Sequence, residues 1–513
     1  MATIKSNPYQ RISRTKIVAT VGPACESAER IDALMAAGVD VFRLNMAHGG
    51  PEQQEPRLET IRDVSQRRDQ PVAVLADLAG PKIRLGEIPG DRLVLEAGQL
   101  VRLVRGRRTA RASRRSEPLD GVANVASPRP AADASPDDSR KSVPALSTTY
   151  PALLDDLAVG NRILLADGTV GLVVERLAPG EALCRVVQPG VVRSRQGLNL
   201  PGARLRAAAL GPADRRNAVW AARAGLDFVG LSFVRSVADI ENLKSLLRRH
   251  GSPAQVVAKI EKPEALDQLE AIVDAADAVM VARGDLGVEI DIAGIAVVQK
   301  RIVAECHRRR KPVIIATQML DSMQHSRLPT RAEATDVANA VLDGADACML
   351  SGETAVGEYP VEAVEMMHRI AVATEGAMRY SAVTPIEPLA SPLDSITEAT
   401  VSAAGRLADA LEAKLVVVAT ASGRTALALA KRRNRAFSVG VSDSPETLRR
   451  MCLYWGVVPL AGAPLEDSAA LLAHVARRAR AAGFLRQGDR VVLIAGTGLR
   501  TTRHNQIVVD EIA

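Results

Sequence analysis

The stretch QVVAKIEKPEALDQLEAIVDAADAVMVARGDLG, residues 255–287, contains one structural unit and the start of the next. An apolar run rich in Val, Ile and Ala (255–261) leads to Pro263. A segment with helical apolar spacing (263–275) follows, and then a second apolar run (278–284). Short runs of this kind bounded by turns fit buried parallel strands, and the segment between them fits a crossover helix. Working outward, apolar runs recur at 16–22, 39–46, 71–78, 226–233, 312–318 and 347–352, with helix-like segments at 29–37, 296–310 and 332–343. Three runs are introduced by Gly38-Val-Asp40, Gly225-Leu-Asp227 and Gly344-Ala-Asp346, the turn expected where a helix gives way to a buried strand. Eight βα units predict an α/β fold built on a TIM (β/α)8 barrel.

The repeat is broken once, between residues 78 and 226. From 85 to 197 the pattern becomes short alternating stretches (93–95, 99–103, 162–165, 170–176) punctuated by Gly and Asp, which predicts a small β domain. Within it, 106–142 is rich in Arg, Ala, Ser, Pro and Asp, has no period, and reads as a flexible loop. After residue 380 a Pro- and Ser-containing linker leads into a further αβ alternation. The expected division is a tail (1–14), a barrel (15–84 and 198–380), an inserted β lid (85–197) and a C-terminal α/β domain (390–513).

Composition narrows the class. The chain has 513 residues, 47% hydrophobic and 24% charged, which excludes a disordered chain. It has no apolar run long enough to span a bilayer, and its first residues lack an apolar signal region, so no membrane association or export is expected. Five scattered cysteines without a CxxC pair suit a reducing cytoplasm. The net charge of +7 is local: residues 102–115 carry seven arginines and no acid, and the remaining Lys and Arg balance the 59 acidic residues. Aromatics are 2% of the chain and none falls in that stretch, so a nucleic-acid partner is not expected. The arginine run reads as a solvated loop, with contact to an acidic partner as the rival.

In such a barrel the active site lies at the C-terminal ends of the strands. These ends read Arg43-Leu-Asn45-Met-Ala47-His48, Asp77-Leu-Ala-Gly-Pro-Lys82-Ile-Arg84, Lys259-Ile-Glu261, Arg283-Gly284-Asp285 and Thr317-Gln318. Each motif alone reads as readily as a surface ion pair or a turn. Together, Glu261 and Asp285 on consecutive strands offer hard oxygens to Mg²⁺, with Mn²⁺ as an alternative, and Arg43, Arg84 and Lys259 suit a substrate bearing phosphate and carboxylate.

The stretches TKIVATVGP (15–23), RLNMAHG (43–49), GPKIR (80–84), NLPG (199–202), KIEKP (259–263), MVARGDLG (280–287), ATQML (316–320) and MLSGETA (349–355) resemble those of pyruvate kinases. The resemblance covers nearly the whole chain, most specifically the barrel. It implies a barrel with a lid domain and a C-terminal regulatory domain, and a cytoplasmic homotetramer. It also implies transfer of the phosphoryl group of phosphoenolpyruvate to ADP, followed by protonation of the enolate at carbon. By resemblance Arg43 binds the phosphate, Lys259 stabilises the phosphoryl group in flight, and Glu261 and Asp285 hold Mg²⁺. The Gly284 backbone meets the substrate carboxylate together with Asp285, and Thr317 lies near the protonated carbon, relaying a proton through water. Asn45, His48 and Arg84 face the nucleotide phosphates, although a lone His at a strand end is as readily structural. The loop Thr420-Ala-Ser422-Gly423-Arg424-Thr425 resembles one with which relatives bind sugar-phosphate effectors. It stands between a strand and a helix, where backbone N–H groups form a phosphate cradle, and a sugar phosphate or a nucleotide is the expected effector. The 496–502 loop could complete that pocket.

Two departures bear on ions and nucleotide. K⁺-requiring relatives ligate the ion through side chains matching positions 45, 47, 77 and 78, but here Ala47 and Leu78 have no side-chain oxygen. Lys82 stands where such relatives carry Glu, so its ammonium is expected to substitute for the monovalent cation and K⁺ is not expected to be required. Gln196 replaces a nucleotide-contacting Lys. The rivals are another Mg²⁺-dependent, enolate-forming barrel enzyme acting on pyruvate or phosphoenolpyruvate, and an effector-binding relative that has lost turnover.

Overall fold

The computed structural model describes residues 13–81, 83–105, 143–150, 152–166, 168–203, 206–378, 393–498 and 503–512. Eight parallel strands close into a barrel: β1 Lys16–Thr20, β2 Val41–Asn45, β3 Ala73–Asp77, β4 Phe228–Leu231, β5 Gln255–Ile260, β6 Ala278–Ala282, β7 Val313–Ala316 and β8 Ala347–Leu350. They lie in sequence order, with β1 pairing β8 (Lys16 opposite Ala347) to complete the ring. The two-residue period of each strand sorts its side chains into two cores. Ile17, Ala19, Phe42, Leu44, Val74, Ala76, Val256 and Ala258 join the helices in one apolar cluster. Val18, Val41, Ala73, Leu75, Phe228, Val257, Met280 and Ile314 belong to another, in the barrel interior.

The helices begin and end where their polar residues dictate. Arg331–Asp343 starts at Thr330, whose hydroxyl accepts the Glu333 N–H while Glu333 accepts the Thr330 N–H. It stops at Gly344, φ 98°, where a Cβ would stand 2.7 Å from the His307 ring, so only glycine turns the chain there.

At the N-terminal end of the barrel one device repeats four times. Asp40, Asp227, Asp277 and Asp346 each directly precede an even-numbered strand. Each donates its backbone N–H to the carbonyl of Ile17, Val74, Val256 or Val313 at 2.9–3.1 Å. Each also accepts that same residue's N–H on a carboxylate oxygen at 2.8–3.0 Å. A strand end that would otherwise expose an N–H is thus closed by the residue that starts the next strand. Every one of these carboxylates also has a cation: Lys16 at 3.3 Å, Arg62 at 2.9 Å, Lys244 at 2.9 Å and Lys431 at 2.5 Å.

The C-terminal domain is a five-stranded sheet in the order Val457–Leu460, Phe437–Val441, Leu415–Ala419, Arg490–Ala495, Gln506–Glu511, parallel except for the last pair. Its residues Val401, Ala404, Leu448, Met451 and Tyr454 belong to the same apolar cluster as the barrel interior. It also supplies cations to the acid ring: Lys431 and Arg433 to Asp346, and Arg449 to Asp227 at 2.6 Å.

Lys82–Arg206 forms a separate compact unit. It contains a two-stranded ribbon, Arg92–Leu95 with Gly190–Arg193, and a six-stranded sheet with its own core, including Leu103, Ile163, Leu172 and Val186. The arginine-rich stretch beyond residue 105, the expected loop 106–142 and Lys82 lie outside the described residues.

Candidate active site

The inward period of the strands carries the interior core into the site. Two residues beyond Val41, Leu75 and Val257 come Arg43, Asp77 and Lys259, on the same face and one layer nearer the C-terminal mouth. Asp77 stands between the two cations. Its Oδ2 accepts Arg43 Nε at 2.8 Å and lies 2.7 Å from Nη2, and its Oδ1 lies 3.2 Å from Lys259 Nζ. Lys259 Nζ is also 2.9 Å from Glu261 Oε1 and donates to Ser232 Oγ at 2.7 Å. Ser232 in turn donates to the Leu78 carbonyl at 2.8 Å, and Arg43 Nη1 donates to Thr20 Oγ1 at 3.0 Å.

Burial opposes charge on Lys259, yet the carboxylates of Asp77 and Glu261 outweigh it and hold the ammonium firmly protonated. Burial likewise opposes the charged form of Asp77, and Lys259 and Arg43 override it, so its carboxyl lies below the usual range. Glu261 goes the other way: burial pushes its carboxyl up, and the negative charge of Asp285 adds to the effect. Two cations here face three carboxylates.

Glu261 Oε2 accepts the Phe233 N–H at 2.9 Å, whereas its Oε1, like Asp77 Oδ1, is buried and faces Lys259 without an aligned hydrogen bond. Asp285, half-buried in the first turn of the helix Arg283–Glu289, has no hydrogen bond or ion pair among the described residues. Among those residues no three His, Cys, Asp or Glu gather into a metal cage. A cation at Glu261 and Asp285 would therefore complete its shell from water or substrate oxygens, which is the habit of Mg²⁺.

Thr317 closes the far side of the mouth. Its Oγ1 accepts the Gly284 N–H at 2.7 Å and donates to the Ala316 carbonyl at 2.7 Å. A Cβ on residue 284 would stand 3.4 Å from that hydroxyl, an ordinary contact, so it is the N–H bond that ties Gly284 to Thr317. Thr317 and Gln318 have φ of 68° and 55°. Non-glycine residues held there cost about 1–3 kcal/mol each and are concentrated at functional sites.

The family models match this architecture part by part: "Pyruvate kinase, barrel domain" over residues 12–117 and 133–364, and "Pyruvate kinase, alpha/beta domain" over 398–509. The chain belongs to the pyruvate kinase family. It is 40% identical to the pyruvate kinase of Mycobacterium tuberculosis over 484 residues, covering 94% of this chain and 95% of that one. It is 38% identical to the pyruvate kinase of Methylorubrum extorquens, covering 95% of each chain. A crystal structure of a pyruvate kinase from Cryptosporidium parvum superposes with a TM-score of 0.84 at 30% identity, over 98% of this chain and 97% of that one. As a pyruvate kinase family member the chain is a phosphotransferase.

The remaining expected residues fall in several places. Asn45 follows Arg43 at the end of β2, and its Oδ1 accepts the Ala47 N–H at 3.1 Å; His48 is exposed at the end of the following turn. Arg84 and Gln196 belong to the inserted unit. There Arg84 donates to the Arg195 carbonyl at 3.2 Å and Gln196 accepts the Arg193 N–H at 2.7 Å. In the C-terminal loop Thr420 and Thr425 are buried, with hydroxyls turned to the Gly423 N–H and to His504; Ser422 and Arg424 are exposed. Asp77, Ser232 and Arg283 enter the site beyond the expected residues. Ser232 could have been found by reading the end of the fourth strand as the others were read.

Proposed function

We propose that this chain transfers the phosphoryl group of phosphoenolpyruvate to ADP and protonates the resulting enolate to give pyruvate and ATP. The observation that carries this reading is the buried Arg43–Asp77–Lys259–Glu261 cluster at neighbouring strand ends. Arg43 holds the phosphate. Lys259, kept charged by two carboxylates, faces the phosphoryl group while the enol oxygen–phosphorus bond breaks and the bond to the terminal ADP oxygen forms. A loose, metaphosphate-like transition state needs this positioning and charge rather than covalent help from the protein. Glu261 and Asp285 would hold Mg²⁺, which when bound neutralises negative charge on substrate oxygens. The Gly284 backbone and Asp285 are assigned to the substrate carboxylate. Thr317 relays a proton through water to the enolate carbon, the proton coming from solvent rather than from the threonine as the acid. Asn45, His48 and Arg84 are assigned to the nucleotide phosphates.

K⁺ is not required in this reading. Neither Ala47 nor Leu78, which is 1% exposed inside the apolar core, supplies a side-chain oxygen. Asp77 already has two cations of its own chain, and Lys82 is assigned as the substitute for the monovalent ion. Effector binding is assigned to the exposed part of the 420–425 loop, Ser422 and Arg424 with the helix-start N–H groups, and the working assembly to a homotetramer. None of the described helices is long and apolar enough to cross a membrane.

The test is ADP-dependent pyruvate formation from phosphoenolpyruvate with Mg²⁺ in tetramethylammonium buffer, before and after adding K⁺. Full activity without K⁺ is expected. Activity only with K⁺ keeps the reaction and removes the built-in cation. Phosphoenolpyruvate consumption that ignores ADP would favour the lyase-like rival.

A further inference from the structure

Thr317 and Gln318 hold left-handed backbone conformations immediately after β7, and the side chain of Arg283 bonds the backbone there. Its Nη2 donates to the Thr317 carbonyl at 2.9 Å and its Nε to the Ala316 carbonyl at 3.4 Å. The same guanidinium forms a two-armed pair with Asp336, 2.7 Å on each arm. Gln299 Oε1 lies 3.4 Å from Nη1, and Gln299 is itself oriented by donating to Asp343 at 2.9 Å. Arg283 also adjoins Gly284, whose N–H meets the Thr317 hydroxyl. One planar cation, 11% exposed, therefore ties the end of β6 to the loop after β7 and is anchored from behind by Asp336 on the helix Arg331–Asp343.

We propose that Arg283, backed by Asp336, is a positioning residue for the proton-delivery step: it fixes the left-handed Thr317–Gln318 pair so that the Thr317 hydroxyl stays at the Gly284 side of the mouth. The proposal rests on the assignment of Thr317 to that step. Lysine cannot reproduce the role in full, because a guanidinium fork serves two carbonyls and a carboxylate in one plane and an ammonium does not. Methionine keeps much of the volume and removes every donor.

By microscopic reversibility the group that protonates the enolate also removes a proton from pyruvate. The decisive readout is therefore exchange of pyruvate methyl hydrogens for deuterium in D₂O, followed by proton NMR with enzyme, Mg²⁺ and ATP. Turnover with phosphoenolpyruvate and ADP is measured alongside. Arg283→Met is expected to lower exchange and kcat together by about 100-fold, the scale of a displacement of about 1 Å at a reacting group. KM for phosphoenolpyruvate should stay within about twofold, because the phosphate-binding cations are untouched. Arg283→Lys should recover part of the exchange. Asp336→Asn, which leaves Arg283 in place, should lower exchange about tenfold, roughly one RT ln 10 of lost positioning. Exchange at the wild-type rate in Arg283→Met, or a raised KM with unchanged kcat, overturns the proposal. If that variant does not fold, unchanged exchange in Asp336→Asn overturns it instead. Thr317→Val separates the two layers: if it keeps exchange, the Thr317 assignment fails and this one with it, whereas loss there and none in Arg283→Met removes Arg283 alone.

Discussion

At one end of the barrel Asp40, Asp227, Asp277 and Asp346 each hold a backbone N–H and a cation, and three of them are almost fully hidden from solvent. At the other end Asp77, Glu261 and Asp285 share two cations. Two of their buried oxygens lack an aligned partner, and Asp285 stands open. Both ends bury comparable charge, so burial alone does not separate support from catalysis. Completeness does. A carboxylate whose bonds are all made inside the chain stiffens the fold, while a buried group of carboxylates with unaligned oxygens is where a functional site is sought.

Substitutions at the two ends should therefore fail in different ways, and each can break the contrast. The largest effect is expected from Lys259→Ala, which should lower kcat by about 10³-fold or more, because its donors act where charge moves in the transition state. Its melting temperature should move less than that of a variant at the foot, and steady-state kinetics with a thermal melt checks both. Next, Asp346→Asn leaves Lys431 and Arg433 facing a neutral group in a buried site. A loss of about 3–5 kcal/mol in denaturant unfolding is expected, with kcat of the folded fraction unchanged. A large kcat loss with normal stability would erase the distinction between the ends.

The smallest effect concerns pH. His307 Nε2 donates to the Gly344 carbonyl, 2.8 Å away. Burial, aided by the charges of Lys431 and Arg433, pushes its imidazole down to about 3 from an ordinary 6.5. The folded chain keeps this ring neutral where the unfolded chain would protonate it. Its contribution is complete above about pH 6.5 and is lost as pH falls towards about 3, with a slope of at most about 1.4 kcal/mol per pH unit. Urea unfolding of wild type and His307→Gln between pH 7 and pH 5 should show a shallower slope in the variant; equal slopes would place the titration elsewhere.

The foot was largely legible in the sequence because its signal is local: at Asp40, Asp227 and Asp346 a Gly, an apolar residue and the Asp before a buried run state both the turn and the strand to come. The mouth was legible in its residue types, since Arg43, Lys259, Glu261 and Asp285 stand at the ends of those runs. What could not be read were pairings between distant segments. The sequence presents Asp77 only as a site for an added ion, yet it is taken up by Arg43 and Lys259 from two other strands. Nor does a β-branched Thr317 announce a left-handed backbone, a conformation that its own preferences oppose and only tertiary contacts impose.

The acid ring also has a consequence for synthesis. Asp346 is translated long before Lys431 and Arg433, and Lys16 of the first strand finds its acceptor, the Val457 carbonyl at 2.7 Å, only near the end of the chain. At about 5–20 residues per second the ribosome needs several seconds to go from residue 346 to residue 457. Through that interval the nascent barrel has all eight strands but Asp346, alone of the four foot carboxylates, still lacks its cations, so that part of the base is exposed to proteases and chaperones until the last domain emerges. A chain stopped short of residue 431 should therefore be degraded rather than accumulate as a free barrel.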